Sequence, residues 1–327
     1  MTSSKGAVGI QVENCPAPAD AVSLSVVICC YTEARRRLLI EAVEAVFAQT
    51  RPDDELILVV DGNDALHADL NAVLAEHATV LANTSARGLS GARNTGLHAA
   101  TGSVVVFLDD DAVLRPGALQ AVREAMTDPA ICAIGGAVHP AWHAGTPPRW
   151  FPPEFGWVVG CDYRGLPRDG AAIRNPIGAA MAVRRPALTA IGGFSDRLGR
   201  IDTLPTGCEE TLMGIELARR EPAGRIVRTA SFAVSHAVPR DRATVSYFLR
   251  RCFHEGRSKA ILSRMCGRDS ALASERTYTT RTLPQGIWVA RRQPGRAAAL
   301  LVGLLTTGTG YLVGSVQTVG GAQAGPR

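Results

Sequence analysis

The run Val104-Val105-Val106-Phe107-Leu108-Asp109-Asp110-Asp111 carries the clearest structural information in this chain of 327 residues, because five apolar residues end in three consecutive carboxylates. An uninterrupted apolar run of this length predicts a strand buried on both faces, which is typical of a sheet covered by helices. In open α/β sheets, ligands bind beyond the carboxyl ends of the strands. The position of the aspartates therefore predicts a binding site at that edge of the sheet.

Short β-branched segments alternate with helical patterns on both sides of this run, which predicts an α/β fold with a mostly parallel central sheet flanked by helices. Beyond Met126 the pattern becomes irregular, and residues 141–169, rich in Pro, Gly and Trp, are predicted to form a long loop. A helix is predicted to begin near Pro116. Further strands are predicted at residues 23–30, 56–60, 79–82, 179–184 and 226–234, and further helices at 34–49, 65–76, 90–100, 209–220 and 245–265.

The composition fits a folded intracellular protein. With 46% hydrophobic and 20% charged residues, the chain is long enough to bury a full core, and we expect one large domain with an appendage. Its eight cysteines include Cys29 and Cys30 inside an apolar run, and no Cys-x-x-Cys pair occurs, so a reducing cytoplasm is expected. Residues 1–21 contain no apolar stretch long enough for a secretory signal, and we expect none.

Positive charge is concentrated before an apolar tail. Residues 240–296 contain 13 Lys or Arg against four Asp or Glu, although the whole chain has a formal charge of +5. Such a segment suits nucleic acid or anionic lipid. Residues 297–319 then contain no charged residue and would extend about 34 Å as a helix, close to the thickness of a bilayer core. We therefore expect membrane lipid, and no nucleic acid, as a partner.

The basic residues before the tail predict the orientation of this segment. Arg291, Arg292 and Arg296 would keep the rest of the chain at the cytoplasmic face of the cell membrane. Two alternatives remain open for the apolar tail: a helix buried against the main domain, or a helix that pairs with a second protomer. The oligomeric state is not determined by the pattern.

The three aspartates predict a metal site. Adjacent carboxylates repel one another, so a cation or good hydration must compensate them. Mn²⁺ or Mg²⁺ prefers oxygen ligands and shares them with substrate phosphates, which makes an Asp-x-Asp at a strand end suitable for a diphosphate. The alternative is a hydrated acidic turn without a metal.

Several motifs, in one order, resemble the signatures of family 2 glycosyltransferases with the GT-A fold. Each is weak by itself, but together they cover about residues 23–257. They are Ser25-Val26-Val27-Ile28-Cys29-Cys30-Tyr31-Thr32-Glu33, Leu58-Val59-Val60-Asp61-Gly62, Gly88-Leu89-Ser90-Gly91-Ala92-Arg93-Asn94-Thr95-Gly96, Phe107-Leu108-Asp109-Asp110-Asp111, Gly178-Ala179-Ala180-Met181-Ala182-Val183-Arg184-Arg185, Ile191-Gly192-Gly193-Phe194 and Gly207-Cys208-Glu209-Glu210-Thr211.

The resemblance implies an inverting, hexosyltransferase-like enzyme. The donor would be a nucleotide diphosphate sugar, with uridine the commonest base. The acceptor would be a hydroxyl or phosphate on a lipid-linked molecule, a cell-envelope glycan or a small molecule. It also implies a GT-A catalytic domain at residues 23–240, with a flexible segment at 1–22, a basic helical segment at 241–296, a membrane-associated or transmembrane helix at 297–319 and a flexible tail at 320–327.

The resemblance assigns the donor side residue by residue. Tyr31, Glu33 and Asp61 would surround the nucleotide base, with Asp61 accepting a hydrogen bond from it. Arg93 would line the nucleotide pocket, and a structural salt bridge is the alternative for this residue. Asp109 would lie near the ribose or the metal.

The resemblance also assigns the metal and the base. Asp111, with Asp109, would bind Mn²⁺ or Mg²⁺, and His236 would complete the coordination or else serve a structural role. Glu210 would be the general base toward the acceptor hydroxyl. The family has Asp at this position, so the longer Glu places the base or the acceptor differently. An acidic pair that complements a helix dipole is the alternative for Glu209-Glu210.

Three residues are candidates for the acceptor side. Glu209 precedes the expected base, and Arg250 and Arg251 lie in a segment that resembles bacterial members with membrane-linked acceptors. The arginines would contact a phosphate on the acceptor or phospholipid headgroups. A solvated helix face is the alternative for both.

Other classes of protein have different sequence requirements. A sugar nucleotidyltransferase needs a glycine-rich basic loop after the first strand, but Tyr31, Thr32 and Glu33 follow it here. A nicotinamide dehydrogenase needs Gly-x-Gly-x-x-Gly at the first helix, which is missing. A non-catalytic protein that binds sugar nucleotides, or is tethered to a membrane, remains as the third alternative, and the retained acids Asp109, Asp111 and Glu210 count against it.

Overall fold

The computed structural model describes residues 22–198 and 207–320, with side chains up to 316. Most of the two termini that we predict to be flexible, residues 1–21 and 321–327, lies outside the described residues. The strands are β1 (Leu24–Cys30), β2 (Glu55–Val60), β3 (Thr79–Ala82), β4 (Val104–Asp109), β5 (Ala112–Leu114), β6 (Ile131–Trp142), β7 (Ala180–Arg184) and β8 (Arg225–Val238). The helices are α1 (Arg36–Phe47), α2 (Asp64–Leu74), α3 (Leu89–Ala99), α4 (Ala118–Ala125), α5 (Arg185–Ala190), α6 (Glu209–Arg220), α7 (Val245–Cys266), α8 (Arg268–Ala271), α9 (Ala273–Thr277), α10 (Leu283–Val289) and α11 (Pro294–Gly320).

Within the described residues, the strands form one mixed sheet in the order β3-β2-β1-β4-β7-β6-β8-β5. The half from β3 to β4 is parallel throughout, as the α/β pattern predicts. In the other half only β6 and β8 are parallel, while β7 is antiparallel to both of its neighbours and β5 is antiparallel to β8. The α/β fold is confirmed, and the sheet is less uniformly parallel than expected.

Alternate residues of the central strands enter two different cores. In β4, Val104 and Val106 belong to the cluster that also contains α1 and α2, whereas Val105 and Phe107 belong to the cluster beneath α3 and α6. Side chains of a strand point alternately to opposite faces, so a fully apolar strand is required where helices cover both. This burial holds the carboxyl end of β4 firmly at one edge of the sheet.

The sequence pattern missed β6. Gly135, Gly136 and Pro140 suggest a loop, because glycine and proline are unfavourable inside strands. In the fold, a Cβ on Gly136 would lie 2.3 Å from the carbonyl oxygen of Phe232, so the close approach of β8 requires glycine there. The register between β6 and β8 also shifts at this point. Strand β8 is longer than expected as well, so His236 lies inside it and not after it.

The C-terminal helices pack on the core that the sheet and its helices form. Phe248 of α7, Leu283 of α10 and Leu300 of α11 lie in the same buried cluster as the first strand. Helices α7 and α11 run side by side in the same direction, with Gly256 against Thr307 and Gly314 against Arg257. By length and composition, α11 is a candidate membrane span over residues 294–316, and 22% of its most apolar window is buried. The domain boundaries given above remain a prediction.

Candidate functional site

The carboxyl end of β4 meets β8 through a short antiparallel pairing. Strand β5 follows the three aspartates directly, and its Ala112 pairs with His236. This pairing brings His236 Nε2 to 3.1 Å from Asp111 Oδ1 and 3.9 Å from Asp109 Oδ2. One ligand atom from each of these three residues lies within 4.8 Å of the others. The fold thus brings together the three side chains that the sequence suggested as metal ligands.

The acidic tip, which we define as Asp109, Asp110 and Asp111, contains and contacts groups with perturbed pKa values. Burial alone would lower the pKa of His236, but Asp111 raises it to about 10. Burial would raise the pKa of Asp111, but His236 and Arg242 hold it below its usual range. Burial raises the pKa of Asp110 to about 6, even though Arg35 opposes this. Positive charge from His236 and Arg242 therefore stabilises the carboxylate of Asp111, whereas burial dominates at Asp110.

Two arginines that the sequence analysis did not select supply part of this charge. Arg35 Nη1 lies 2.7 Å from Asp110 Oδ1, and Arg242 Nη2 lies 3.4 Å from Asp111 Oδ2. Both line the same cavity as the aspartates. Arg35 follows Tyr31, and Arg242 follows His236, which are both site residues predicted from the sequence. A basic residue shortly after the end of a strand is the sequence signal that could have identified each arginine.

A buried thiol contacts the other nitrogen of the histidine. Cys161 Sγ lies 3.6 Å from His236 Nδ1. A partner on one ring nitrogen orients the other toward a metal, as in many metal sites. Within the described residues every cysteine is free, including Cys161.

Helix α3 brings Arg93 to the centre of the site. A Cβ on Gly96 would lie 2.4 Å from Val27, so glycine is needed for the helix to approach β1 this closely. Arg93 is buried, with Nη1 3.3 Å from Glu210 Oε1 and Nη2 3.5 Å from Asp109 Oδ1. Arg93 therefore connects the expected base to the acidic tip. The same contacts are salt bridges, so the structural role given above as the alternative for Arg93 also fits.

Helix α6 presents the two glutamates at its first turn. Glu209 is buried, with Oε1 3.4 Å from Arg93 Nη1, while the side chain of Glu210 is 18% exposed. Gly178 makes room for this arrangement, since a Cβ there would lie 2.0 Å from Glu210 Oε1. Cys208, just before the helix, has a φ of 75° and is the one non-glycine residue with positive φ in the described part of the chain. Backbone strain of this kind is concentrated at functional sites.

The three aspartates, Arg93 and the two glutamates line one cavity of about 1020 Å³, whereas His236 and Cys161 lie behind its lining. Tyr31 and Asp61 line one end of it, and their role in binding the nucleotide remains a prediction. Both carboxylate oxygens of Asp61 already accept hydrogen bonds, from Asn83 Nδ2 at 2.6 Å and from the Gly88 N–H at 2.9 Å. Glu33 lies in a short exposed 3₁₀ turn and is not among the lining residues.

The C-terminal helices form the other end of the cavity. Arg250 lies over the Tyr247 ring at 5.6 Å, and Arg251 is buried with Nη2 3.6 Å from Glu255 Oε2. Both arginines line the cavity. The two arginines predicted for the acceptor side therefore lie in the same cavity as Glu210, in the part that the C-terminal helices form.

A partly buried ionic cluster joins this end to the rest of the domain. Glu275 of α9 lies 2.6 Å from Lys259 Nζ of α7 and 2.8 Å from Arg174 Nη1. Burial alone would raise the pKa of Glu275, but Lys259 and Arg174 lower it to about 2. The cluster thus stabilises the packing of α7 and α9 around the cavity.

Residues 25–192 match the model of the glycosyl transferase family 2. The chain belongs to glycosyltransferase family 2. The glucosyl-dolichyl phosphate glucuronosyltransferase of Haloferax volcanii is 31% identical over 246 residues, which cover 74% of this chain and 77% of the relative. The predicted family and enzyme class are confirmed.

Solved structures agree on the fold of this family 2 enzyme. The mannosyltransferase PcManGT of Pyrobaculum calidifontis, in complex with GDP-Man and Mn²⁺, has a TM-score of 0.58 at 20% identity, covering 94% of this chain and 90% of that one. GalNAc-T7 with UDP, GalNAc and Mn²⁺ has a TM-score of 0.52 at 14% identity, covering 80% and 57%. The prediction of a GT-A fold is confirmed.

Proposed function

We propose that this family 2 enzyme transfers a sugar, with inversion, from a uridine diphosphate sugar to a lipid-linked acceptor at the cytoplasmic face of the membrane. The observation that carries the proposal is the cavity that Asp109, Asp111 and Glu210 line together, with His236 grouped with the two aspartates. Such a site combines a place for a diphosphate with a carboxylate for an attacking hydroxyl. Both are needed for a single displacement at an anomeric carbon.

The donor set fits Mn²⁺ or Mg²⁺. Two carboxylates and one imidazole are hard or borderline ligands, and their ligand atoms lie within 4.8 Å of one another. Two of the similar structures contain Mn²⁺ with a nucleotide or nucleotide sugar. A bound ion would supply positive charge to the departing diphosphate.

Glu210 is the proposed general base. It is the more accessible of the two glutamates, with 18% of its side chain exposed against 4% for Glu209. Arg93 Nη1, 3.3 Å away, orients its carboxylate. An acceptor hydroxyl within hydrogen-bond reach of Oε1 would lose its proton to Glu210 as it attacks. Tyr31 and Asp61 are proposed to bind the uracil at the far end of the cavity.

The acceptor side is proposed from charge and from the relative. The relative of Haloferax volcanii is, by its name, a transferase that acts on glucosyl-dolichyl phosphate. In this chain, Arg250 and Arg251 line the cavity end next to α11. Arginine binds phosphate oxygens well, so these residues are proposed to contact the phosphate of a lipid-linked acceptor.

The test measures release of nucleotide diphosphate, with Mn²⁺, across a panel of donors and a membrane extract as the acceptor. Glu210→Gln should retain donor affinity and lose transfer by about 10² to 10⁴-fold, since it removes only the proton acceptor. Asp111→Ala should weaken Mn²⁺ and donor binding together. Glu216→Gln, on the exposed side of α6, is the control and should behave as wild type. Equal release by all four proteins would refute the proposed mechanism.

A further inference from the structure

Helix α11 has one face in close backbone contact with α7. A Cβ on Gly310 would lie 2.0 Å from the Phe253 carbonyl oxygen, and a Cβ on Gly256 would lie 2.0 Å from the Thr307 carbonyl oxygen. These glycines therefore allow the two helices to touch directly. Along α11 the contact runs from Gly303 to Ser315, which is about 18 Å of helix axis.

This contact makes a membrane-spanning α11 unfavourable. Helix α7 carries Arg250, Arg257 and Arg264 among other charged residues, and Arg264 donates to the Ser315 carbonyl oxygen. If α11 crossed the hydrocarbon core, α7 would have to enter it as well or the contact would have to break. Charged side chains in hydrocarbon are strongly unfavourable. Helix α11 therefore belongs outside the bilayer core, together with α7.

The opposite face of α11 is nevertheless apolar and exposed. Leu301, Leu305, Leu312 and Val316 are 49%, 68%, 67% and 71% exposed, and their spacing of four, seven and four residues puts them on one side of the helix. We call these four residues the outer stripe. A row of exposed leucines of this kind marks an interaction surface.

Residues just before α11 in the chain are typical of a membrane interface. Trp288 is 65% exposed, and Arg291 lies over its ring at 4.2 Å. Arg291 and Arg292 are both exposed at the amino end of α11. Tryptophan and arginine favour the headgroup region, where the ring is partly apolar and the cation meets anionic lipid. The surface therefore fits an anionic bilayer.

A third side of α11 faces the cavity. Leu304, Thr307, Gly308 and Tyr311 line it, at the spacing of one helix face. Leu304 and Gly308 are also exposed, so the cavity opens beside the outer stripe. Helix α11 thus has the exposed apolar surface on one side and the opening of the cavity on the adjacent side.

We propose that α11 lies in the plane of the bilayer, with the outer stripe inserted among the lipids and the neighbouring side forming the entrance for the acceptor. The part that concerns the acceptor rests on the proposed function. A lipid-linked molecule would then reach Glu210 from the membrane without leaving it. The placement of the helix stands on the contacts and exposure of α11 alone.

Vesicle flotation tests the outer stripe. The full chain should float with phosphatidylcholine vesicles that contain phosphatidylglycerol, and less with phosphatidylcholine alone. The double variant Leu305→Glu, Leu312→Glu should lose at least about tenfold in vesicle affinity. Val73→Glu is the matched control, because Val73 is 55% exposed on α2, away from this surface. Equal flotation of all three proteins would overturn the proposal. It would also be overturned if the wild type did not bind vesicles but formed a dimer in light scattering, and the double variant were monomeric.

A tag fused after Arg327 distinguishes an in-plane helix from a spanning one. In inside-out membrane vesicles, protease should remove the tag, because both ends of α11 stay on the cytoplasmic side. A tag protected until detergent is added would refute the in-plane arrangement.

Activity measurements separate this inference from the proposed function. The double variant should transfer sugar to a detergent-solubilised acceptor at the wild-type rate, and to the same acceptor in vesicles at about a tenth of it or less. Equal loss in both assays would refute the entrance. If the wild type itself releases no nucleotide diphosphate with any donor, the proposed function fails, whereas flotation and tag cleavage still decide the placement of α11.

Discussion

Replacing Gly178 with alanine tests whether the observed position of Glu210 is the catalytic one. The new Cβ would lie 2.0 Å from Glu210 Oε1 and 2.6 Å from Arg93 Nη2. Real Cβ contacts are essentially never shorter than 3.0 Å, so the carboxylate must retreat by about 1 Å. A displacement of this size at a reacting group costs about 100-fold in rate. We therefore expect kcat to fall about 100-fold with a much smaller change in donor affinity.

The assay for this variant follows nucleotide diphosphate release under saturating donor, with donor affinity measured separately by calorimetry. Gly207→Ala is the matched control, because its Cβ would lie 3.8 Å from Glu255 Oε2, an ordinary contact, in the same cavity. It should have wild-type kcat. Melting temperatures of both variants show whether either fold is damaged. A wild-type kcat in Gly178→Ala would refute Glu210 as the base in this geometry.

Two further predictions concern the metal and the ionic cluster. His236→Gln should weaken Mn²⁺ binding by at least about tenfold in calorimetry, while His98→Gln, on the exposed side of α3, should leave it unchanged; equal affinities would contradict the ligand role. Glu275→Gln should lower the melting temperature at pH 7, because the lowered pKa of Glu275, about 2, corresponds to at most about 3 kcal/mol. This stabilisation is complete above the ordinary carboxyl pKa of 4.5 and is lost as the pH falls toward 2, so the difference from wild type should shrink over that window. Glu41→Gln, which breaks an exposed pair with its helix neighbour, should change little at any pH, and a pH-independent deficit in Glu275→Gln would refute the role of its charge.

Local patterns were sufficient for the first half of the fold and for the acidic tip. The apolar run that ends at Asp109 predicts both a doubly buried strand and a polar site at its end, since both properties depend on neighbouring residues only. The same holds for Glu209 and Glu210, which begin a helix with the expected spacing. The family follows from several such local motifs in a fixed order.

Other features depend on contacts between distant parts of the chain. His236 reaches Asp111 because β5 pairs with β8, and no local pattern contains that pairing. Strand β6 forms despite two glycines and a proline. Residue Phe232 of β8 approaches Gly136, and Ile173 and Pro176 approach Gly135, so closely that side chains would not fit there. Arg35 and Arg242 were not selected because an arginine becomes important here only when a buried aspartate lies within reach.

The apolar tail shows the difference most clearly. Its composition requires removal from water, so the amino-acid pattern was sufficient to predict an apolar helix. Composition is the same for a helix that spans a bilayer, lies on one or packs on a domain. Our proposal for this helix depends on the backbone contact between Gly256 and Thr307 and on the exposure of Leu305. Both follow from which side of the helix faces α7, and only the tertiary structure establishes that side.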